Sequence, residues 1–302
     1  MEPNTLEITE QPALYGFASI RDLVNQTLQQ DFGTNITPEG ASSGFKELDK
    51  ALGGFQPGHL YTIAVKPGMG KTAFLLSLAN NMAIKDDYAV AILSSERSNH
   101  KMTSRLIESE TGMSLNKLRS WEFKDSERDH MRSLLGTIAK SKIYIDDTSS
   151  LSLETLSEKV RHLKKAQHVD LVIVDYLELL TAADAEEGDD RPTQLARIVK
   201  GIKSVASETD IPILLFSQTA RQANGHLSTK RPTLDVLPAF LSESTDVLMY
   251  LHRNDLYANG EDEETEARSP VELILSKREA PGEEVVVPLS FIESTSKFAD
   301  FS

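Results

Sequence analysis

Val65-Lys66-Pro67-Gly68-Met69-Gly70-Lys71-Thr72 is the stretch that decides the fold. Upstream, Leu60-Tyr61-Thr62-Ile63-Ala64-Val65 is apolar and β-branched, as a buried strand is. Downstream, Ala73-Phe74-Leu75-Leu76-Ser77-Leu78-Ala79 has helical spacing. A strand, a Gly-containing turn ending in Gly-Lys-Thr and a helix are the context in which such a turn wraps the phosphates of a nucleoside triphosphate. Glycine lets backbone N–H groups close on the anion, and the helix N-terminus adds its dipole. The residues expected at the nucleotide are therefore Lys66, Pro67, Gly68, Met69, Gly70, Lys71 and Thr72. Lys71 is expected to neutralise the β- and γ-phosphates, and the Thr72 hydroxyl to hold Mg²⁺. Val65 stands where the motif has its first glycine.

At 302 residues the chain can carry one large α/β domain or two smaller ones. Its 39% hydrophobic and 26% charged content fit a soluble globular protein. No apolar run approaches the roughly 18 residues of a membrane span, and the N-terminus lacks the pattern of a secretory signal. With no cysteine, disulfides and thiolate metal sites are excluded, and a reducing cytoplasm is the expected location. The net charge of −14 argues against a uniformly basic nucleic-acid surface but leaves room for a local basic channel.

Strand and helix patterns alternate after the phosphate loop. Strands are expected at 88–93, 143–146, 171–175, 211–217, 247–251, 271–275 and 285–291, and helices at 101–110, 125–139, 153–165 and 194–209. Ahead of the loop, Phe45, Leu48 and Leu52 begin a helix that stops at Gly53-Gly54. The alternation predicts an α/β fold, a mostly parallel twisted sheet flanked by helices that ends in antiparallel strands. An amphipathic helix over 17–28 is expected to dock on its own domain, on a neighbouring subunit or on another protein. Segments 182–191 and 254–269 read as acidic loops. The organisation is thus a lead-in with a linker helix over 1–40 and an ATPase domain over 41–302.

Ligands of such sheets lie beyond the carboxyl ends of the strands. Leu171-Val172-Ile173-Val174-Asp175 places Asp175 beside the phosphate loop, where it can orient Mg²⁺. Ala89-Val90-Ala91-Ile92-Leu93-Ser94-Ser95-Glu96 ends in a second acid, suited to aligning or deprotonating an attacking water. Ile213-Leu214-Leu215-Phe216-Ser217-Gln218 ends in an amide able to contact the γ-phosphate. Each has a plainer reading as well: Asp175 as a turn cap, Glu96 and Gln218 as surface groups.

Taken in order, several motifs resemble the motor domain of bacterial and phage replicative DNA helicases of the DnaB type. They are Gly44-Phe45 with Leu48-Asp49, Gly54-Phe55-Gln56-Pro57-Gly58, the phosphate loop and Ser94-Ser95-Glu96. Tyr144-Ile145-Asp146-Asp147-Thr148, Val174-Asp175-Tyr176-Leu177-Glu178-Leu179-Leu180, and Ser217-Gln218 with Arg221 follow. The resemblance implies a RecA-like P-loop ATPase core using ATP and Mg²⁺. It implies a ring homo-oligomer, usually a hexamer, with ATP between subunits and single-stranded DNA in the channel. A helicase loader or a primase is a further implied partner, in the cytoplasm of a bacterium or of a phage host.

The chain also departs from this family. The family usually has an N-terminal helical domain, which the roughly forty leading residues are expected to be too few to form. After Arg231-Pro232-Thr233 the family shows a DNA-contacting Arg-Glu-Ser-Gly-like stretch, whereas this chain has Leu237-Pro238-Ala239-Phe240-Leu241-Ser242. The family's Lys and Arg, two residues apart, become Lys277-Arg278-Glu279, so Arg278 serves as the neighbour-reaching arginine only if the loop shifts by one residue. DNA contacts are expected from Arg221, Lys230 and Arg231 in the long loop between Gln218 and the Val247 strand, which offers no obvious stacking aromatic except Phe240. Two readings result. One is an ATP-driven helicase that translocates on single-stranded DNA. The other is a divergent, non-translocating paralogue that binds a helicase or its loader as an assembly or inhibitory factor. A different RecA-like ATPase is disfavoured by the matches at 54–58 and 144–148.

Overall fold

The computed structural model describes residues 40–114, 116, 125–182, 189–218, 234, 237–253, 268–277 and 283–301. Among these, nine strands form a single sheet. They are β1 (Leu60–Val65), β2 (Val90–Ser94), β3 (Ile143–Asp146), β4 (Leu171–Asp175) and β5 (Ile213–Gln218), then β6 (Val247–Arg253), β7 (Arg268–Lys277), β8 (Val285–Ile292) and β9 (Lys297–Asp300). Their spatial order is β3-β2-β4-β5-β1-β6-β7-β8-β9. Pairing is parallel from β3 to β6 and antiparallel from β6 to β9, which is the arrangement expected from the sequence. The expected helix 17–28, and with it the division at residue 40, lies outside the described residues.

The parallel strands are apolar throughout because both faces are covered. Alternate residues feed two cores. Tyr61, Ile63 and Val65 of β1, with Ile92, Ile173 and Phe216, share one core with α1 (Lys46–Leu52) and α2 (Lys71–Asn80). Leu60 and Ala64, with Leu93, Val174 and Leu215, pack on the other side. Two further helices, α3 (Asn99–Thr111) and α4 (Asp125–Lys140), connect β2 to β3. The second core is closed by Leu156 and Val160 of α5 (Leu153–Gln167) and by Ile198, Val199 and Ile202 of α6 (Arg191–Thr209). A single turn of π-helix, Asn81–Lys85, continues α2.

The Gly-Phe-Gln-Pro-Gly turn prepares the entry to β1. Gly54 and Gly58 have positive φ, and a Cβ on Gly54 would lie 2.5 Å from the Gly40 carbonyl oxygen. Phe55 meets Tyr61 edge-on with centroids 4.9 Å apart. The Gln56 backbone N–H donates to the Tyr61 hydroxyl at 2.8 Å, and burial pushes that phenol up to about 12. This turn is therefore a structural brace for the strand that carries the phosphate loop.

Two elements were not apparent from the pattern. Residues 239–244 form a short helix, α7 (Ala239–Ser244), in which Leu241 is fully buried and Phe240 packs against the second core. Phe240, the one aromatic the sequence offers for stacking in that loop, is therefore partly buried on a short helix that packs against the second core. The other is β9, only four residues long. Its Phe298 is 1% exposed, meets Phe74 at 5.4 Å and Phe291 at 5.0 Å, and lies where a Cβ on Gly70 would come within 3.1 Å. The Phe298 backbone N–H also donates to Ser77 Oγ at 2.9 Å. This last strand thus packs directly behind the phosphate loop and supports it.

Phe298→Ala is expected to lower the unfolding free energy by about 3–5 kcal/mol, the usual cost of emptying a buried aromatic site. Urea titration reads this as a fall in the midpoint at unchanged slope. A loss below about 1 kcal/mol would contradict the role given to β9.

Candidate nucleotide-binding site

The parallel register brings the expected residues to one edge of the sheet. Val65 is directly across from Gln218, and Ser94 from Asp175. Val65 itself is 1% exposed and belongs to β1, so the position where the motif has a glycine is here the last strand residue. Left-handed backbone is needed later, at Gly68 (φ 87°) and at Gly70 (φ 94°), the N-cap of α2. The first turn of α2 opens into a cavity of about 800 Å³, within the size range of small-molecule sites. Lys66, Pro67, Gly68, Gly70, Lys71 and Thr72 line it, as do Glu96 and Gln218. Met69 is placed differently: its side chain is 1% exposed in the core, and its N–H donates to the Lys66 carbonyl at 3.2 Å. It anchors the loop rather than facing the cavity.

Charge is concentrated around Lys71. Its ammonium donates to Asp175 Oδ1 at 2.5 Å and to Glu96 Oε2, and lies 3.8 Å above the Tyr176 ring. The Asp175 side chain is fully buried, and its second oxygen accepts from Ser94 Oγ at 3.0 Å. Thr72 is 5% exposed, and its hydroxyl accepts from Arg97 Nε at 3.1 Å. One hydroxyl and two carboxylates are hard oxygen donors of the kind Mg²⁺ prefers. Two cationic side chains already stand at these oxygens, so the donor set fits a cation by its own contacts. Burial, reinforced by the Glu96, Glu178 and Asp175 carboxylates, pushes the Tyr176 phenol up. Burial lowers the Lys66 ammonium below its ordinary range.

Surrounding motifs hold Glu96 and Gln218. Ser95 Oγ donates to the Thr148 carbonyl at 3.0 Å, and the Asn99 N–H to Asp147 at 2.9 Å. Asp146 accepts from Lys159 at 2.5 Å and from the Thr148 N–H at 3.1 Å. The Tyr144–Thr148 stretch is thus a brace for the loop that carries Glu96. Glu178 accepts from Ser217 Oγ at 2.6 Å and from the Gln218 N–H at 3.0 Å, which fixes the end of β5.

The reading of the sequence missed Arg97, Arg105, Arg253, Phe291 and Glu293, all of which line the same cavity. Arg253 is 4% exposed, lies 4.0 Å above the Phe291 ring and pairs with Glu293 at 2.5 Å. A cation ending an apolar strand was the available signal for Arg253. Phe291 and Glu293 come from β8 and the turn after it, over two hundred residues from the phosphate loop in sequence. Arg221, Lys230, Arg231 and Arg278 lie outside the described residues, as do most of the two acidic loops. Among the described residues no His, Asp or Glu cluster of metal-binding type occurs, and no helix is long and apolar enough to cross a membrane.

The profile of the DnaB-like helicase C terminal domain matches residues 40–300. Over 304 residues the chain is 29% identical to the replicative DNA helicase DnaC of Bacillus subtilis, covering 99% of this chain and 65% of that protein. It is 27% identical to the replicative DNA helicase DnaB of Geobacillus stearothermophilus, covering 98% and 64%. The chain therefore spans just under two thirds of the length of these relatives. Among solved structures, the ATPase domain of G40P superposes with a TM-score of 0.82 at 29% identity, covering 95% of this chain and all of that one. A DnaB-like replicative helicase studied with primase superposes with a TM-score of 0.77 at 29% identity, covering 95% and 68%.

Lys71→Ala leaves the buried Asp175 carboxylate without its counter-charge and is expected to cost about 3 kcal/mol in stability without any nucleotide. Adding Asp175→Asn should recover part of that loss, giving a coupling of about 1–3 kcal/mol in a double-mutant cycle. Simple additivity would contradict the pairing.

Proposed function

Because this chain belongs to the DnaB-like helicase C-terminal domain family, we propose that it binds ATP with Mg²⁺ in the described cavity and hydrolyses it to drive movement on single-stranded DNA. The observation that carries this reading is the convergence of Lys71, Thr72, Glu96 and Gln218 around one cavity at the carboxyl edge of the sheet, with the buried Asp175 behind them accepting from Lys71. Thr72 and Asp175 would hold the metal ion, which supplies neutralisation of the charge on the phosphoryl group. Lys71 would turn from the carboxylates to the β- and γ-phosphates. That exchange frees Glu96, so the group that aligns or deprotonates the attacking water becomes available only when phosphate is present. Gln218, held by Glu178, would face the γ-phosphate and begin the segment expected to grip DNA through Arg221, Lys230 and Arg231. Loss of the γ-phosphate at Gln218 is then felt by that segment.

The Arg253–Phe291 shelf offers the same cavity a flat cationic and aromatic surface, which suits the nucleoside end. Assembly is proposed as a ring, in the usual case a hexamer, with Arg278 of each subunit reaching the neighbour's γ-phosphate. Such an arginine is worth on the order of 10³–10⁵ in rate. The proposed division is a lead-in and linker helix over 1–40 and a motor over 41–302, with a loader or primase as further partner.

One observation favours the second reading. Where a DNA-contacting cationic stretch stands in the family, the chain has α7, which carries no cation and buries Leu241 in the core. A paralogue that keeps the nucleotide site but does not translocate would retain everything described around Lys71.

ATP hydrolysis by the purified protein should rise when single-stranded DNA is added, and a forked duplex should be unwound. Glu96→Gln is expected to bind ATP normally while hydrolysis falls by about 10²-fold or more. Nucleotide binding without DNA stimulation or unwinding would overturn the motor and support the paralogue.

A further inference from the structure

Arg97 is a charged side chain of the cavity that the proposed reaction does not use. It follows Glu96 in the loop between β2 and α3, and its backbone is pinned: the Arg97 N–H donates to Ser94 Oγ at 3.3 Å, the same hydroxyl that donates to Asp175. From that fixed point the side chain turns inward, 27% exposed. Nε donates to Thr72 Oγ1 at 3.1 Å, and Nη2 lies 3.6 Å from Glu96 Oε1. Guanidinium does not lose its proton under any ordinary condition, so the charge is permanent.

The consequence is electrostatic. Lys71 and Arg97 together balance Glu96 and Asp175, so these four groups are formally neutral as they stand. Arg97 occupies a lone pair of the Thr72 hydroxyl, the group proposed to hold the metal ion. A divalent cation brought to Thr72 would meet a guanidinium already there, in a partly desolvated pocket where like charges repel more strongly than in water. The neighbouring Arg105 makes the same point from the side, since its proton affinity is lowered first by burial and then by Arg97. A metal ion at Thr72 must therefore displace Arg97 or share the hydroxyl with it against that repulsion.

We infer that Arg97 is an internal placeholder for the divalent cation: it holds Thr72 and Glu96 and competes with Mg²⁺ for them, raising the metal concentration the site requires. This is a positioning role, and it rests on the nucleotide-site reading above. It also gives the chain a device for staying assembled and neutral at the phosphate end when no nucleotide is bound.

The test is binding of a fluorescent, non-hydrolysable ATP analogue to the full chain across a titration of free Mg²⁺, in the wild type, Arg97→Met and Arg97→Gln. The half-saturating free Mg²⁺ is expected to fall about three- to tenfold in Arg97→Met, the range for losing a partly exposed charge-assisted hydrogen bond. Arg97→Gln keeps a neutral donor at Thr72 and should show the same direction, because charge is the competitor; it also carries the test if the methionine variant fails to fold. An unchanged or increased metal requirement in the folded variants overturns the placeholder while leaving the nucleotide site intact. A wild type that binds no analogue at any Mg²⁺ concentration overturns both readings.

Discussion

The ammonium of Lys71, held between the ends of β2 and β4, is the interaction on which the rest depends. A fully buried carboxylate such as Asp175 is destabilising unless a cation answers it, and here the cation comes from the helix that the phosphate loop starts. That requirement fixes how the loop turns. Gly70 takes positive φ so that α2 begins at once and Lys71 points back across the strand ends. Met69 is drawn into the core behind it, and Phe298 closes the space against Gly70. Stability and chemistry therefore meet in one group: the charge that answers the buried Asp175 is the charge that a polyphosphate would take over.

The supporting parts are arranged around this exchange. The Tyr144–Thr148 stretch, through Ser95 and Asn99, holds the loop that carries Glu96, and Glu178 holds the strand end that carries Gln218. These braces bring no reacting group of their own. Their worth lies in keeping acid, amide and hydroxyl within reach of one another before a ligand arrives, which is how a site avoids reorganising at the moment of reaction. Arg97 acts in the opposite sense, resisting occupation instead of preparing it.

Much of this was legible in the sequence because the signals are local. Apolar strands that end in Asp175 or Gln218, or stop two residues before Glu96, announce both the sheet and the edge where the cavity lies, and parallel pairing then brings those ends together without further information. What could not be read was set by distance along the chain. Phe291 and Glu293 join the cavity only because β8 and β9 fold back against α2, and a four-residue strand such as β9 has too few positions to show a period. Residues 237–242 looked like an open loop because Pro238 and the serines interrupt the pattern, yet burial of Leu241 is enough to fix a short helix over the sheet. Arg97 was passed over for another reason: a charge beside a charge in an acidic protein reads as surface until its partner, Thr72, is seen.

The most direct test of the central claim is a crystal structure of the chain with a non-hydrolysable ATP analogue and Mn²⁺, read by the anomalous signal of the metal. The account predicts one Mn²⁺ peak beside Thr72 Oγ1, the triphosphate along Lys66–Thr72, and the Lys71 ammonium moved from Glu96 to the phosphates. A triphosphate bound elsewhere, or bound here with Lys71 still between Glu96 and Asp175, would contradict it.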